Sequence, residues 1–273
     1  MNAAPYKIVT VCTGNICRSP LAEALLCQSL AEAAFDISSA GIMAAVGAAV
    51  PRQQLRIAKK LNLVGLEKHQ PQPLTQDIIK NSDLVLGMSR GHRKRIVRMD
   101  PGAVRKTFTI REFARLAPLV MVEDVEALVQ DGLDPIPAAV EAVASKRGLL
   151  PPPKFGEEFD VIDPFKQKTS VYKLSRDELL PAAQVTSDFL NSIISIFGSQ
   201  RRTTAENVVE LDLPEVVDPE TGELTRLDTG QIAVLNGLPK RSEIRRSQMK
   251  SVAGPGSVGR SIPRRLDSDS RGA

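Results

Sequence analysis

Cys12 and Arg18 lie in V-C-T-G-N-I-C-R-S-P (Val11–Pro20), a short segment that combines a nucleophile, a fixed cation and turn-forming residues. A cysteine attacks as its thiolate, which forms readily only in an electropositive setting. A guanidinium provides a planar fork matched to two oxygens of a phosphoryl group. The residues on either side supply the setting. Residues 7–11, K-I-V-T-V, read as a β-branched strand, and Ser19–Ala33 carries helix formers with apolar positions at Leu21, Ala22, Leu25, Leu26 and Leu30. At a strand-to-helix junction, successive backbone N–H groups and the positive end of the helix dipole suit a bound anion. Thr13, Gly14, Asn15, Ile16, Cys17 and Arg18 are therefore the expected phosphate-binding residues, with Gly14 and Asn15 accommodating unusual backbone angles. Ser19 and Pro20 read as the helix N-cap and first helical position, and Ser19 is also placed to donate to the Cys12 sulfur. Cys12 is the expected nucleophile toward phosphorus, in the field that lowers its pKa. A structural cysteine in a βα turn competes for the Cys-x5-Arg spacing alone; the strand, helix, Gly-Asn and Ser-Pro around it favour catalysis.

Attack on a phosphate ester expels an oxyanion that needs a proton, and the phosphoenzyme then needs a base to activate water. Asp163, in F-D-V-I-D-P-F, is the candidate for both tasks. Pro164 restrains the backbone and Phe165 offers an aromatic wall. Asp-Pro also forms simple capped turns, so Asp163 gains its catalytic reading from the Cys12 loop.

The elements that must position these groups alternate along the chain. After the first strand and helix come a strand near Asp36–Ala40, helices near Pro51–Asn62 and Thr75–Asn81, and a strand at Asp83–Met88. A basic helix at Arg90–Met99, a strand at Arg105–Thr109 and a helix at Ile110–Leu116 follow. Such alternation predicts an α/β fold with a parallel sheet covered by helices on both faces. Residues 117–160 are less regular, with one helix expected near Pro137–Lys146, and read as a surface excursion. A long helical region follows at Ser170–Phe197, with Pro181 a point for a kink or restart. The phosphate-loop domain thus spans 1–198. Residues 199–273 read as a disordered charged tail, with a hairpin around Val208–Leu227.

Composition narrows the function. Aromatics make up 4% of the chain with no Trp, which argues against base stacking and hence against nucleic-acid partners. The net charge of +4 is unevenly spread: eight acids and one base lie in 206–228, whereas nine bases and three acids lie in 240–273. The tail reads as a solvated linker, its partner undetermined. All three cysteines fall between Cys12 and Cys27, too few and too close to staple the chain, which fits reduced thiols and the cytoplasm. No membrane span is indicated. His69 and His92, the only histidines, lack partners at metal-ligand spacing, so no metal or cofactor is expected.

The sequence resembles the low-molecular-weight protein tyrosine phosphatases in their actinobacterial form. The likeness spans Tyr6–Phe197 and rests on V-C-T-G-N-I-C-R-S-P, S-S-A-G (Ser38–Gly41), S-D-L-V-L-G-M-S-R-G-H-R (Ser82–Arg93), T-F-T-I-R-E-F-A-R-L (Thr107–Leu116) and D-P-F with Tyr172 downstream. It implies a four-stranded parallel sheet of order 2-1-3-4 and hydrolysis of phosphotyrosine proteins or aryl phosphates through a cysteinyl-phosphate. In that scheme Cys12 is nucleophile, Arg18 holds the phosphoryl group, and Asp163 is acid, then base. The resemblance further implies a loop-shaping network of Asn15, Ser19 and Ser39, and a reversible Cys12–Cys17 disulfide. Residues Ile42–Ala49 lack the aromatic many relatives carry there, and Phe165 replaces a frequent Tyr. Two rival functions share the loop: arsenate reduction with a low-molecular-weight thiol, since no cysteine follows Cys27, and a phosphate-loop binding module whose tail recruits partners.

Overall fold

The computed structural model describes residues 4–149, 156–198, 215–217 and 224–226. Of its two compact units, Met1–Lys240 and Arg241–Ala273, the first contains all of these. Four parallel strands, β1 (Tyr6–Cys12), β2 (Phe35–Gly41), β3 (Leu84–Gly87) and β4 (Thr107–Thr109), form a sheet in the order β2-β1-β3-β4. Tyr6 pairs with Phe35, Ile8 with Ile37 and Leu84, and Val85 with Thr107. Helices α1 (Arg18–Ser29), α2 (Arg52–Lys60), α3 (Gln76–Asn81), α4 (Arg90–Met99) and α5 (Ile110–Leu116) connect or follow the strands.

Side-chain alternation along β1 divides the core. Ile8 and Cys12 join the larger cluster, with Leu21 and Leu26 of α1, Phe108 and Phe113, whereas Val9 and Val11 join the smaller one, with Ile79 of α3 and Ile96 of α4. Burial on both faces explains why the central strands read as continuous apolar runs. Phe113 meets both Phe108 and, on α8 (Thr169–Phe197), Phe189 edge-on, at centroid distances of 5.2 and 5.9 Å. These contacts fix α5 and α8 against the sheet.

The excursion expected over 117–160 is instead folded into the core. Its helices α6 (Val122–Gln130) and α7 (Pro135–Ser145) bury Val122, Val125, Ile136, Ala139, Val140 and Val143. An alanine-rich helix can be covered on nearly all sides because its small residues admit close neighbours, so it lacks the polar stripe that marks a surface helix. Pro181 lies inside an unbroken α8 rather than at a restart. The anticipated hairpin is present as β5 (Glu215–Val217) antiparallel to β6 (Leu224–Arg226), with Val216 opposite Thr225. The rest of the tail expectation falls outside the described residues.

Candidate active site

Cys12 ends β1 and Arg18 begins α1, so the loop between them sits at the carboxyl edge of the sheet. There the strand order reverses beside β1, the usual location for ligand crevices in open α/β sheets. Cys12, 2% exposed, receives two hydrogen bonds at its sulfur: Ser19 Oγ donates at 3.0 Å and the Asn15 N–H at 3.2 Å. Two donors thus converge on one sulfur and fix its position.

Asn15 holds the loop's shape. It has φ = 54°, a left-handed conformation that asparagine tolerates better than most residues. Its Nδ2 donates to Ser19 Oγ (3.0 Å) and Ser39 Oγ (2.8 Å), and its Oδ1 accepts from Gln72 N–H (2.9 Å). Ser39 Oγ in turn donates to Glu23 Oε2 at 2.5 Å. Burial raises the Glu23 pKa against the opposing effects of Ser39 and His69. Gly14 has no positive φ, so the unusual backbone angle expected of both residues belongs to Asn15 alone. Gly41, beside the loop, has no room for a side chain: an added Cβ would lie 2.7 Å from the Thr13 carbonyl oxygen and 2.9 Å from Ala44 Cα. Residues 42–45 then hug the loop, with Ile42, Met43 and Ala45 N–H groups donating to the Cys12, Thr13 and Gly14 carbonyls.

Ser19 departs from its expected capping role. Cys17 occupies the cap position without a side-chain cap, and the Ser19 hydroxyl serves Cys12 instead. Arg18 is 6% exposed. Its Nη1 donates to the Val161 carbonyl at 3.1 Å and its Nη2 to Asp163 Oδ2 at 2.5 Å, while Nε is buried with no partner. The fold therefore brings Cys12, Arg18 and Asp163 together across a separation of 145 residues. Asp163 Oδ1 accepts from the Phe165 N–H, Pro164 is buried, and Phe165 stays 45% exposed.

Both histidines, which in the sequence lack partners at metal-ligand spacing, support this loop. His69 Nε2 donates to the Asn15 carbonyl at 2.8 Å. His92 is bracketed by Ser89 Oγ at Nδ1 (2.9 Å) and Thr13 Oγ1 at Nε2 (3.0 Å). The Ser89 hydroxyl also accepts from the His92 N–H, so a tautomer protonated at Nε2 satisfies all three contacts. Burial, reinforced by the Arg18 charge, lowers the His92 pKa to about 4, so the ring is neutral at physiological pH. Cys17 faces Tyr172, and burial, reinforced by a charge on Cys12, pushes its thiol up to about 12. Among the described residues, no three His, Cys, Asp or Glu side chains gather at a metal-binding distance.

Residues 7–146 match the family of low molecular weight phosphotyrosine protein phosphatases. The chain belongs to that family. Members are cysteine-based phosphoric monoester hydrolases, and this protein is one. It is 31% identical over 177 residues to a Bacillus subtilis protein-arginine-phosphatase, covering 63% of this chain and 88% of the relative. A Geobacillus stearothermophilus protein-arginine-phosphatase is 29% identical over 175 residues, or 64% of this chain and 89% of the relative. The "Probable low molecular weight protein-tyrosine-phosphatase AmsI" of Erwinia amylovora is 40% identical over 101 residues, 37% of this chain and 68% of that protein. The sheet order 2-1-3-4 and the helices on both faces are those the family resemblance implied.

Proposed function

We propose that this phosphatase acts on phosphotyrosine in proteins, with Cys12 as nucleophile, Arg18 as phosphoryl clamp and Asp163 as general acid, then base. The supporting observation is the convergence on one loop of a sulfur with two hydrogen-bond donors and an arginine paired with a half-exposed carboxylate. Cys12 Sγ forms a bond to phosphorus as the bond to the leaving oxygen breaks. Loop N–H groups from Thr13 to Arg18 and the Arg18 guanidinium hold the equatorial oxygens, and Asp163 gives its proton to the departing phenolate. The Asp163 carboxylate then takes a proton from water as that water attacks the cysteinyl-phosphate, restoring the thiolate. Asn15, Ser19 and Ser39 keep the loop curled, and Pro164 and Phe165 shape the acid's turn.

An aryl substrate fits the apolar side chains left in solvent near these groups: Phe165 at 45% and Ile162 at 39% exposure flank Asp163. Met43 at 76% and Val46 at 72% lie on the segment beside the loop, taking the place of the aromatic absent from Ile42–Ala49. Phosphoarginine is the second reading, favoured by the names of two relatives. The cytoplasm suits either, since all three cysteines are unbridged and the nucleophile must be a free thiol. No helix among the described residues is long and apolar enough to cross a membrane.

The deciding experiment compares kcat/KM on one peptide sequence carrying phosphotyrosine or phosphoarginine, for the wild type and Cys12→Ser. The phosphotyrosine peptide should be preferred by at least about tenfold, and Cys12→Ser should be inactive on both. A preference for phosphoarginine would reverse the substrate assignment; turnover by Cys12→Ser would remove the nucleophile.

A further inference from the structure

The residues just before Pro164 are tied to distant elements through nearly every polar group available. Asp160 Oδ1 accepts from the Arg90 N–H at 2.7 Å and from Arg90 Nε at 3.3 Å, and Oδ2 accepts from Arg90 Nη2 at 3.1 Å. The Val161 N–H donates to the Met88 carbonyl at 2.9 Å, and the Val161 carbonyl accepts from Arg18. Those bonds face the phosphate loop and its neighbours. Two more come from α5 and α8, neither of which carries a phosphate-loop residue. Arg111 Nη1 donates to the Asp160 carbonyl at 2.7 Å, and Glu178 Oε2 accepts from the Ile162 N–H at 2.8 Å. Arg111 Nη1 and Glu178 Oε1 are 3.8 Å apart, with both side chains about three-quarters buried at 28% and 24% exposure.

Asp163 itself is 51% exposed at the side chain, so packing around the carboxylate does not fix it. Its location depends on the backbone that carries it, and the Ile162 N–H belongs to the peptide one residue earlier. We propose that Arg111 and Glu178 form a positioning clamp for the Asp163 carboxylate. Glu178 anchors the peptide before Ile162, while Arg111 orients Glu178 and binds the peptide before Val161. With the backbone held just before Asp163, side-chain rotation carries the carboxyl between Arg18 and the leaving oxygen. Proton transfer is sensitive to such placement, since displacement by about 1 Å is enough to cost on the order of a hundredfold.

This inference rests on Asp163 acting as the general acid. The test separates the two through the leaving group. Phenyl phosphate expels a phenolate that needs a proton, whereas 2,4-dinitrophenolate departs unaided, so only the former should feel a misplaced acid. Glu178→Ala should lower kcat/KM for phenyl phosphate by about tenfold and leave that for 2,4-dinitrophenyl phosphate within about twofold. Glu178→Gln keeps an oxygen for the Ile162 N–H and should recover most of the loss; Arg111→Met should show the same selectivity to a smaller degree. Retained dinitrophenyl activity also reports folded protein. If Glu178→Ala does not accumulate in folded form, Arg111→Met carries the same comparison. Equal losses on the two esters, or none on phenyl phosphate, would overturn the clamp. Asp163→Asn runs alongside: if it too fails to discriminate between the esters, the assignment of the acid falls, whereas discrimination by Asp163→Asn alone removes only the clamp.

Discussion

Between Cys12 and Arg18 the phosphate loop is shaped by neighbours close in sequence, such as the Asn15 N–H three residues from Cys12 and Ser19 seven residues from it. From Asp160 to Asp163 the chain relies on Arg90, Arg111 and Arg18, which lie 70, 49 and 143 residues from their partners in the segment. The first region is a strand-to-helix turn whose sulfur is served by local donors, with Ser39, His69, Gln72 and His92 bracing it from outside. The second takes its shape from the packed fold, and its half-exposed carboxylate contributes little to holding it there. Disturbing the loop should therefore cost stability and slow every substrate alike. Disturbing the acid segment should leave stability nearly intact and select among leaving groups.

The largest effect is expected at the proposed acid. Asp163→Asn should reduce kcat/KM on phenyl phosphate by at least about a hundredfold, within the usual range for general acid catalysis, with little change in thermal midpoint. A matched loss of stability would make the two regions alike. Asn15→Ala comes next. It places alanine at a left-handed φ and removes three buried hydrogen bonds, so a destabilisation of about 2–4 kcal/mol is expected in urea unfolding. Asn15→Gly relieves the backbone cost and should lie about 1 kcal/mol above the alanine variant.

Near neutrality the smallest effect belongs to His92. Its folded pKa of about 4 lies below the ordinary 6.5, so the unfolded chain takes up a proton that the folded ring resists. The stability of the neutral ring is fully present above about pH 6.5 and is lost as pH falls toward 4, by on the order of 1–3 kcal/mol. His92→Gln should flatten that part of the pH–stability curve. Unchanged curvature would show that carboxylates govern acid unfolding.

The same contrast explains what was legible in the sequence. Val11–Pro20 announced itself because strand, turn residues, cation and helix are contiguous, and α4 and α5 were bounded correctly by Ser89 and by the Thr109–Glu112 capping box. Asp163 could be singled out because Asp-Pro is a local signal, and the fold pairs it with Arg18. The supporting side chains were not readable: His69 and His92 reach the loop across 54 and 79 residues, and neither spacing follows a rule. Ser19 was half legible, since its hydroxyl was expected both to cap α1 and to serve Cys12, and only the latter is seen. Helix α6 was missed; α7 was expected near Pro137–Lys146, but its burial was not, because a run of small apolar residues leaves no polar stripe to read while suiting tight packing.

The seating of Cys17 has a practical side. Its thiol is held near pKa 12, and that of Cys27 near 11, so neither supplies appreciable thiolate at neutral pH. Alkylation by iodoacetate under those conditions should therefore spare both. With three cysteines in the sequence, label that is taken up is assigned to Cys12 by elimination, and its loss on adding inorganic phosphate is the expected sign that the anion occupies the proposed loop.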